Sequence, residues 1–363
     1  MPAVVEPSTA PRLGPAPKDV TAVRALITLV CLVLAITACS RSDAPAPVPS
    51  AAAQAGHTSY PLTLQNCGVE VTFERAPHRA VSLYQASTEI LLSLGLADRM
   101  VGTSTWFDPV LPDLAADNER VPRIADNDPS LEAVLDLEPD LITSASAHTF
   151  TAAVVGERAR LADLGIPSYQ SPSVCTDAVV EGETVTRTGP LRMDTLFREI
   201  TELAQIFDVQ DRGARLVDEL RKRLEDAPTG PARDATVAFW FSGLRTPYLA
   251  GCCSAPGLYA REVGATNVFA DAHEDWPEIS WEALADRDPD VLVLADLSRK
   301  RIDGDALDTK IAFLESNPVT RTMTAVQQRR YVVLSGSELD PGIRQIDAVE
   351  KLAAGFTTVG EPQ

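Results

Sequence analysis

The stretch VQDRGARLVDELRKRLED, Val209–Asp226, decides the fold because it predicts one long helix between two similar halves of the chain. Its apolar and small residues recur at three- and four-residue steps, the spacing of one helical face; they are Val209, Gly213, Leu216, Val217, Leu220 and Leu224. Asp208 is placed to cap the N-terminus, and Pro228 with Gly230 ends the helix. A helix of this length spans roughly 27 Å, which is enough to reach from one lobe to another.

The sequences on the two sides of this helix look like one unit written twice. LEAVLDLEPDLIT, Leu131–Thr143, precedes the helix, and WEALADRDPDVLVL, Trp281–Leu294, follows it. Aligned at Glu132 and Glu282, an offset of 150 residues, both read Glu-Ala, an aspartate four residues on, Pro-Asp and an apolar run. Each copy predicts a short helix followed by a strand. We therefore predict an α/β fold of two Rossmann-like lobes with mostly parallel sheets, bridged by one long helix.

This architecture divides the chain into five segments. We expect a signal peptide at 1–38, a lipidated N-terminus with a flexible tether at 39–59, an N-terminal α/β lobe at 60–208, the bridging helix at 209–228 and a C-terminal α/β lobe at 229–363. A bridge made of one rigid helix implies that the lobes close only slightly when a ligand binds.

The N-terminal segment predicts export from the cytoplasm. The apolar run Ala25–Ala38 is too short to span a membrane in the mature protein and is typical of a signal peptide. It ends in Ile36-Thr37-Ala38-Cys39, which resembles the bacterial lipobox, where the cysteine is lipidated. Simple cleavage after Ala38 is the alternative. With Cys39 lipidated, the protein would be held on the outer face of the cytoplasmic membrane by its lipid alone.

The formal charge of −19 argues against whole classes of partner. Residues 1–38 carry a net charge of +1, so the rest of the chain carries −20. Such a chain is repelled by nucleic acids and by anionic lipid surfaces. We expect no nucleic-acid partner.

Four cysteines remain once Cys31 leaves with the signal peptide and Cys39 takes lipid. An even number outside the cytoplasm makes disulfides plausible, with three possible pairings. We favour Cys67–Cys175 within the first lobe, which leaves Cys252 and Cys253 as a vicinal disulfide or as free thiols. The adjacent pair could also hold a soft metal or act catalytically, although no histidine stands beside it at ligand spacing.

No catalytic motif is present in the chain. G-x-S-x-G, H-E-x-x-H, the P-loop and G-x-G-x-x-G are all absent. His148 and His273, with nearby acids, could bind free zinc or manganese, which is one alternative function. We expect no enzyme activity, no cofactor and no resident metal.

Aromatic and cationic residues instead follow the predicted strands, where two facing lobes would form a ligand cleft. Rings and guanidinium groups suit a large planar or anionic ligand through stacking and charge-assisted hydrogen bonds. The alternative for each aromatic is packing in the core. The residues we assign to the cleft are Tyr84, Trp106, Arg245, Tyr248, Trp276 and Arg299.

From Tyr60 to Phe356 the sequence resembles the cluster III substrate-binding proteins of ABC importers for ferric siderophores and cobalamin. The resemblance is carried by Ala76–Ser104, Leu131–Ile142 and Asp275–Leu294. It implies two α/β lobes bridged by one long helix. It also implies a monomer that passes its ligand to a permease dimer with an attached ATPase.

The resemblance assigns roles to particular residues. One glutamate in each lobe docks on the permease, and by motif these are Glu132 and Glu282. Cobalamin binders of the family place aromatics at positions that match Trp106, Trp276 and, more loosely, Tyr248, but also near Asn127 and Ser146, where this chain has none. We therefore expect an iron–siderophore complex as the ligand, with iron present only inside the chelate.

Two other ligands stay open. Cobalamin is one, and the other is an anionic deazaflavin precursor, because Phe313–Leu334 resembles a subgroup assigned to it.

Overall fold

Two four-stranded parallel sheets form the frame of the molecule. The computed structural model describes residues 57–227 and 234–359. The predicted signal peptide, Cys39 and most of the tether lie outside these residues. Within them, no helix is both long and apolar enough to cross a membrane.

The N-terminal lobe contains a sheet with strand order β4-β3-β5-β6. Helices cover this sheet, and all four residues of β3 and of β5 are buried. A separate hairpin, β1–β2, precedes it. The elements are β1 (Leu62–Asn66), β2 (Val69–Phe73), β3 (Ala80–Leu83), α1 (Gln85–Ser93), β4 (Met100–Ser104), α2 (Ala115–Asn118), α3 (Leu131–Leu135), β5 (Leu141–Ser144), α4 (Arg158–Asp163), β6 (Ser168–Gln170), α5 (Pro172–Cys175), β7 (Ala178–Glu181) and β8 (Thr184–Arg187).

The C-terminal lobe repeats this topology after the two helices α6 (Met193–Ile206) and α7 (Gln210–Asp226). Its strand order, β10-β9-β11-β12, matches that of the first lobe strand for strand. The elements are β9 (Thr236–Trp240), α8 (Ala255–Val263), β10 (Thr266–Asn267), α9 (Trp281–Arg287), β11 (Val291–Asp296), α10 (Leu307–Ser316), α11 (Thr324–Gln327), β12 (Tyr331–Ser335) and α12 (Gln345–Val359). The two-lobed α/β prediction is confirmed.

The repeated Pro-Asp has a structural reason that the sequence did not reveal. The Asp140 carboxylate accepts hydrogen bonds from the backbone N–H groups of His78 and Arg79, at the start of β3. The Asp290 carboxylate accepts them from the backbone and hydroxyl of Thr236, at the start of β9. In each lobe, the aspartate that precedes one central strand therefore forms hydrogen bonds that fix the start of the neighbouring strand.

The bridge is α7, and α6 packs against it antiparallel. Gly213 of α7 makes the close approach possible, because a Cβ at this position would overlap the Cβ of Ala204 on α6. Arg212, near the start of α7, donates to the backbone oxygens of Leu94 and Gly95 in the first lobe. Arg223, near its end, pairs with Asp347 and Glu350 of the second lobe.

The N-terminus of the bridge differs from the prediction. Helix α7 starts at Gln210 after Val209, and Asp208 has a left-handed backbone and does not cap it. The Asp208 carboxylate instead accepts the backbone N–H of Thr58 at 2.6 Å. Hydrogen bonding to the chain that enters the first lobe thus replaces capping, and His57 and Thr58, assigned to the tether, are hydrogen-bonded to the domain.

A second connection crosses between the lobes on the β7–β8 hairpin, which the sequence analysis missed. In β8 the backbone N–H of Arg187 donates to the carbonyl of His273, and the carbonyl of Val185 accepts the N–H of Asp275. Leu191 then donates to the carbonyl of Cys253. The hairpin of the first lobe is therefore hydrogen-bonded to the second.

The largest apolar core is continuous through the bridge. Buried residues of the first sheet, of α6 and α7, and of α8 and α12 belong to one cluster, whereas two smaller clusters each lie within one lobe. Shared burial of this kind favours a fixed arrangement of the lobes.

Candidate functional site

Two neighbouring cavities lie between the lobes at the carboxyl ends of the strands, where the sequence placed the cleft. The first has a volume of about 400 Å³, and we call it the tyrosine cavity. Residues of both lobes line it: Tyr84, Ala145, Ser146, Ala147, His148, Ser173, Val174, Glu183, Thr184, Val185, Arg187, Tyr248, Glu274, Asp275, Trp276, Asp340 and Pro341.

Three of the six predicted cleft residues meet in this cavity. Tyr84 directly follows β3, whereas Tyr248 and Trp276 lie in loops of the second lobe. The Trp276 ring packs 5.1 Å from that of Phe241, and the Tyr248 hydroxyl donates to Glu278. Two supported aromatic rings of one lobe thus face a tyrosine and small polar residues of the other.

Arg187 also lines this cavity, although it was not among the residues predicted from the sequence. Its side chain is only 1% exposed and forms a two-bond pair with Asp275, at 2.7 and 2.6 Å. It also donates to the carbonyls of Ser173 and Thr176. This charge-assisted pair joins the two lobes at the wall of the cavity.

Asp340 and Tyr84 form a second contact between the lobes. The Tyr84 hydroxyl donates to the Asp340 carboxylate at 3.1 Å. Burial raises the pKa of Asp340 to about 7, and burial together with the Asp340 charge raises the pKa of Tyr84 well above its usual value. Tyr84 is therefore a neutral hydrogen-bonding group at physiological pH.

His148 lies at the mouth of the tyrosine cavity between two acids. Its Nδ1 is 3.0 Å from the Glu183 carboxylate at the hairpin tip, and its Nε2 is 3.3 Å from that of Asp128. Both ring nitrogens therefore lie beside carboxylates.

The second cavity has a volume of about 530 Å³, and we call it the arginine cavity. Its lining residues are Trp106, Phe107, Asp108, Pro109, Arg123, Asp126, Ser298, Arg299 and Arg301. The Tyr84 and Phe107 rings make an edge contact at 5.2 Å, so the two cavities are neighbours.

Trp106 and Arg299, predicted to share the cleft with Tyr84, line this second cavity instead. Trp106 is only 4% exposed because the Arg123 guanidinium covers its ring at 4.5 Å. Arg299 pairs with the buried Asp305 and lies over the ring of Phe107. Arg245 is exposed on a loop and lines neither cavity. The predicted ligand residues therefore do not form a single group.

The four cysteines among the described residues form two disulfides. Cys67 and Cys175 join the β1–β2 hairpin to α5, and Cys252 and Cys253 form a vicinal bridge. His273 lies beside the vicinal pair, with its Nδ1 3.8 Å from the Cys252 sulfur. The sequence shows no histidine at ligand spacing because His273 lies 20 residues after Cys253; the fold brings it to the pair, with its Nδ1 3.2 Å from the Arg187 carbonyl oxygen. Within 57–227 and 234–359, only these three side chains group like metal ligands.

Glu132 and Glu282 occupy equivalent, exposed positions in the first turns of α3 and α9. In both helices the serine two residues earlier caps the N-terminus, Ser130 and Ser280 each accepting a backbone N–H at 3.2 Å. Backbone and Ser130 hydrogen bonds lower the pKa of Glu132. Each lobe thus presents an exposed carboxylate on a matching helix.

Comparison with known proteins assigns the family. The family of periplasmic binding proteins matches residues 81–337. A cobalamin-binding protein of Halobacterium salinarum is 27% identical over 91% of this chain and 84% of its own length. A vitamin B12-binding protein of Vibrio cholerae is 26% identical over 59% of this chain and 69% of its own.

A solved structure shares both fold and sequence with this chain. It is described as an ABC-type Fe³⁺-hydroxamate transport system from Saccharomonospora viridis, with a TM-score of 0.69 and 26% identity over 82% of this chain and 99% of the other. Two lobes with matching sheets, a ligand-sized cavity between them and this family match lead to one conclusion. The chain belongs to the periplasmic binding protein family, in its cluster III form, and is an extracytoplasmic solute-binding protein, not an enzyme.

Proposed function

We propose that this protein captures a ferric siderophore in the tyrosine cavity and delivers it to an ABC permease. The observation that carries the proposal is the cavity itself, where Tyr84 of one lobe faces Tyr248 and Trp276 of the other. A volume of about 400 Å³ lies within the range of pockets that enclose small organic ligands. The Saccharomonospora viridis structure, described as a Fe³⁺-hydroxamate transport system, supports an iron chelate.

Cobalamin is the second candidate, favoured by the Halobacterium salinarum relative. Stacking on both faces of a flat corrin ring would need aromatics from both lobes. In the tyrosine cavity, Tyr84 is the one Phe, Tyr or Trp that the first lobe contributes to the described lining, and its neighbours Ser146 and Ala147 offer no stacking ring. We therefore place cobalamin second.

Tryptophan fluorescence tests this proposal. The purified protein is titrated with ferric siderophores, their iron-free forms and cobalamin, and we expect saturable quenching by a ferric siderophore only. Trp276→Phe should remove much of that quenching, whereas Trp281→Phe, in the core of the second lobe, should leave most of it. Binding of cobalamin but of no ferric siderophore would identify cobalamin as the ligand in place of a siderophore.

We further propose that Cys39 carries a lipid that holds the protein on the outer face of the cytoplasmic membrane. The support is the lipobox-like Ile36-Thr37-Ala38-Cys39 at the end of an apolar run. Mass spectrometry of the membrane fraction should find a diacylated N-terminal cysteine, and Cys39→Ser should release the protein. An unmodified N-terminus at Cys39 would contradict the proposal.

Docking on the permease through Glu132 and Glu282 completes the proposed role. Their support is their equivalence, since both are exposed and lie in the first turns of corresponding helices. Reversing both charges tests this role in a reconstituted importer.

A further inference from the structure

The tyrosine cavity has only one side chain with a permanent positive charge, and that charge is already engaged. Arg187 gives two hydrogen bonds to Asp275 and two more to the carbonyls of Ser173 and Thr176. An anionic ligand could recruit this guanidinium only by breaking a buried ion pair, which is costly. Arg187 therefore serves the structure and is not available to a ligand.

Carboxylates outnumber cations around the same cavity. Glu274 is exposed, and among the described residues it has no ion-pair partner. Within the same residues, Glu183 pairs only with His148, which is charged only when protonated. With Asp275, these acids set three negative charges against one guanidinium, an excess of two. Burial raises the pKa of Asp340 to about 7, so Asp340 adds further negative charge above neutral pH. The lining of the cavity therefore carries a net negative formal charge.

The arginine cavity next to it has the opposite character. Arg299 pairs with Asp305, and Arg123 lies 3.4 Å from Asp126. Arg301 donates to Asn127 and to the backbone oxygen of Asp126, so its charge faces no carboxylate side chain. An anionic group entering the cleft would therefore be drawn to Arg301 and away from Tyr84 and Trp276.

From this charge distribution we infer that the tyrosine cavity selects ferric chelates of zero or positive net charge, the tris-hydroxamate class, and rejects tris-catecholates. This inference rests on the proposed function. Three singly charged hydroxamates neutralise Fe³⁺, whereas three doubly charged catecholates leave the complex trianionic. Uncompensated carboxylates at close range disfavour the second complex by Coulomb repulsion.

The test is a series of chelates with one metal centre and different tail charges. A linear ferric trihydroxamate with a terminal amine is used free, acetylated and succinylated, which makes the complex cationic, neutral and anionic. We expect the dissociation constant, measured by fluorescence at low ionic strength, to rise about fivefold with each unit of negative charge. Added salt should shrink these differences, and ferric tris-catecholate should bind weakest.

Glu274→Gln and Glu183→Gln should each reduce the differences in dissociation constant between the three chelates and so flatten the series, because each removes a negative charge from the lining. Glu219→Gln makes the same change in net charge on the exposed face of α7 and should leave the series unchanged. Equal flattening by all three variants would mean that net charge acts at long range, and would overturn the inference.

The outcomes separate this inference from the function on which it rests. Binding of no ferric chelate at all would contradict the proposed function. Tight binding of the anionic or catecholate complex would keep that function and overturn the charge selectivity. If Arg301→Gln then abolished the anionic binding, the arginine cavity would be identified as the compartment that holds the chelate.

Discussion

Glu199 is a buried acid of α6 whose ionisation opposes folding. It is 1% exposed, one carboxylate oxygen accepts the Ser171 hydroxyl, and the other has no partner. Burial raises its pKa from 4.5 to about 7. Because the folded state holds this proton more tightly than the unfolded state, the contribution of Glu199 to stability is largest below about pH 4.5 and is lost as pH rises to about 7.

We therefore expect Glu199→Gln to weaken the decline of the melting temperature between pH 5 and pH 8. A pKa rise of this size corresponds to roughly 3 kcal/mol of unfolding free energy, and Asp340 contributes a similar decline that the variant keeps. Thermal melts across this range measure the effect, with exposed Glu225→Gln as the control. Parallel curves for the wild type and Glu199→Gln would contradict the expectation.

Individual site residues were predictable only where a local pattern marked them. Tyr84 follows a strand of the first lobe, and Tyr248 and Trp276 stand in polar loops, features that are visible in the sequence. Arg187 and Asp340 carry no such signal, because they reach the cavity through hydrogen bonds with residues 88 and 256 positions away. Trp106 looked like a cleft residue for the same local reason as Trp276, but Arg123 covers it.

Among the elements, the pair α6–α7 depends on one glycine. Gly213→Val would place a branched side chain against Ala204 and force the two helices apart. Overpacking of this kind typically costs about 1–3 kcal/mol of unfolding free energy, which urea denaturation would measure. Ala214→Val puts the same side chain on the exposed face of the same helix and should cost much less. A loss at Gly213→Val no larger than that at Ala214→Val would show that the close approach of α6 and α7 does not limit the side chain at position 213.

Elements with a regular spacing of apolar residues were predicted well, whereas features that depend on contacts between residues distant in sequence were not. The long helix, the parallel strands and the repeat were visible because burial on a sheet or helix face imposes a spacing of apolar residues. The β7–β8 hairpin was missed although β-branched residues flank its Gly182 turn, a pattern typical of hairpins. The failure of Asp208 to cap α7 was not predictable, since its hydrogen-bond partner, Thr58, is 150 residues away.

In the whole molecule, a buried ion pair joins the lobes directly. Arg344 of the second lobe pairs with Glu89 of the first at 2.8 and 2.5 Å, and Glu89 is only 1% exposed. Arg344→Met should cost about 3–5 kcal/mol of unfolding free energy, because it leaves a buried carboxylate without its counter-ion. Glu89→Gln in the same chain should restore part of it.

Arg329→Met is the matched control for this ion pair. Arg329 pairs with Glu315 on the surface, where the loss should stay below about 1 kcal/mol. Chemical denaturation of the four proteins compares them. Equal losses of unfolding free energy in the two arginine variants would mean that the ion pair with Glu89 contributes no more than a solvent-exposed one.

Permease docking is also a property of the whole molecule, since it requires both lobes. Glu132→Arg combined with Glu282→Arg should reduce uptake at least tenfold in a reconstituted importer, because two attractions become repulsions, yet leave the ligand dissociation constant unchanged. Asp218→Arg with Glu225→Arg makes the same charge change on α7 and should transport normally. Normal uptake by the first variant would show that the docking assignment is wrong.

The lobes are tied together at several points: by α6 and α7, by the β8 crossing, and by Asp108, which accepts hydrogen bonds from Ser298 and Ser337 across the cleft. This has a kinetic consequence. A preformed cavity has no slow closing step, so related chelates should associate at similar rates, and selectivity should reside in how long each one stays bound. The bound chelate would then dissociate slowly from the free protein. The permease would trigger release by disrupting these contacts between the lobes.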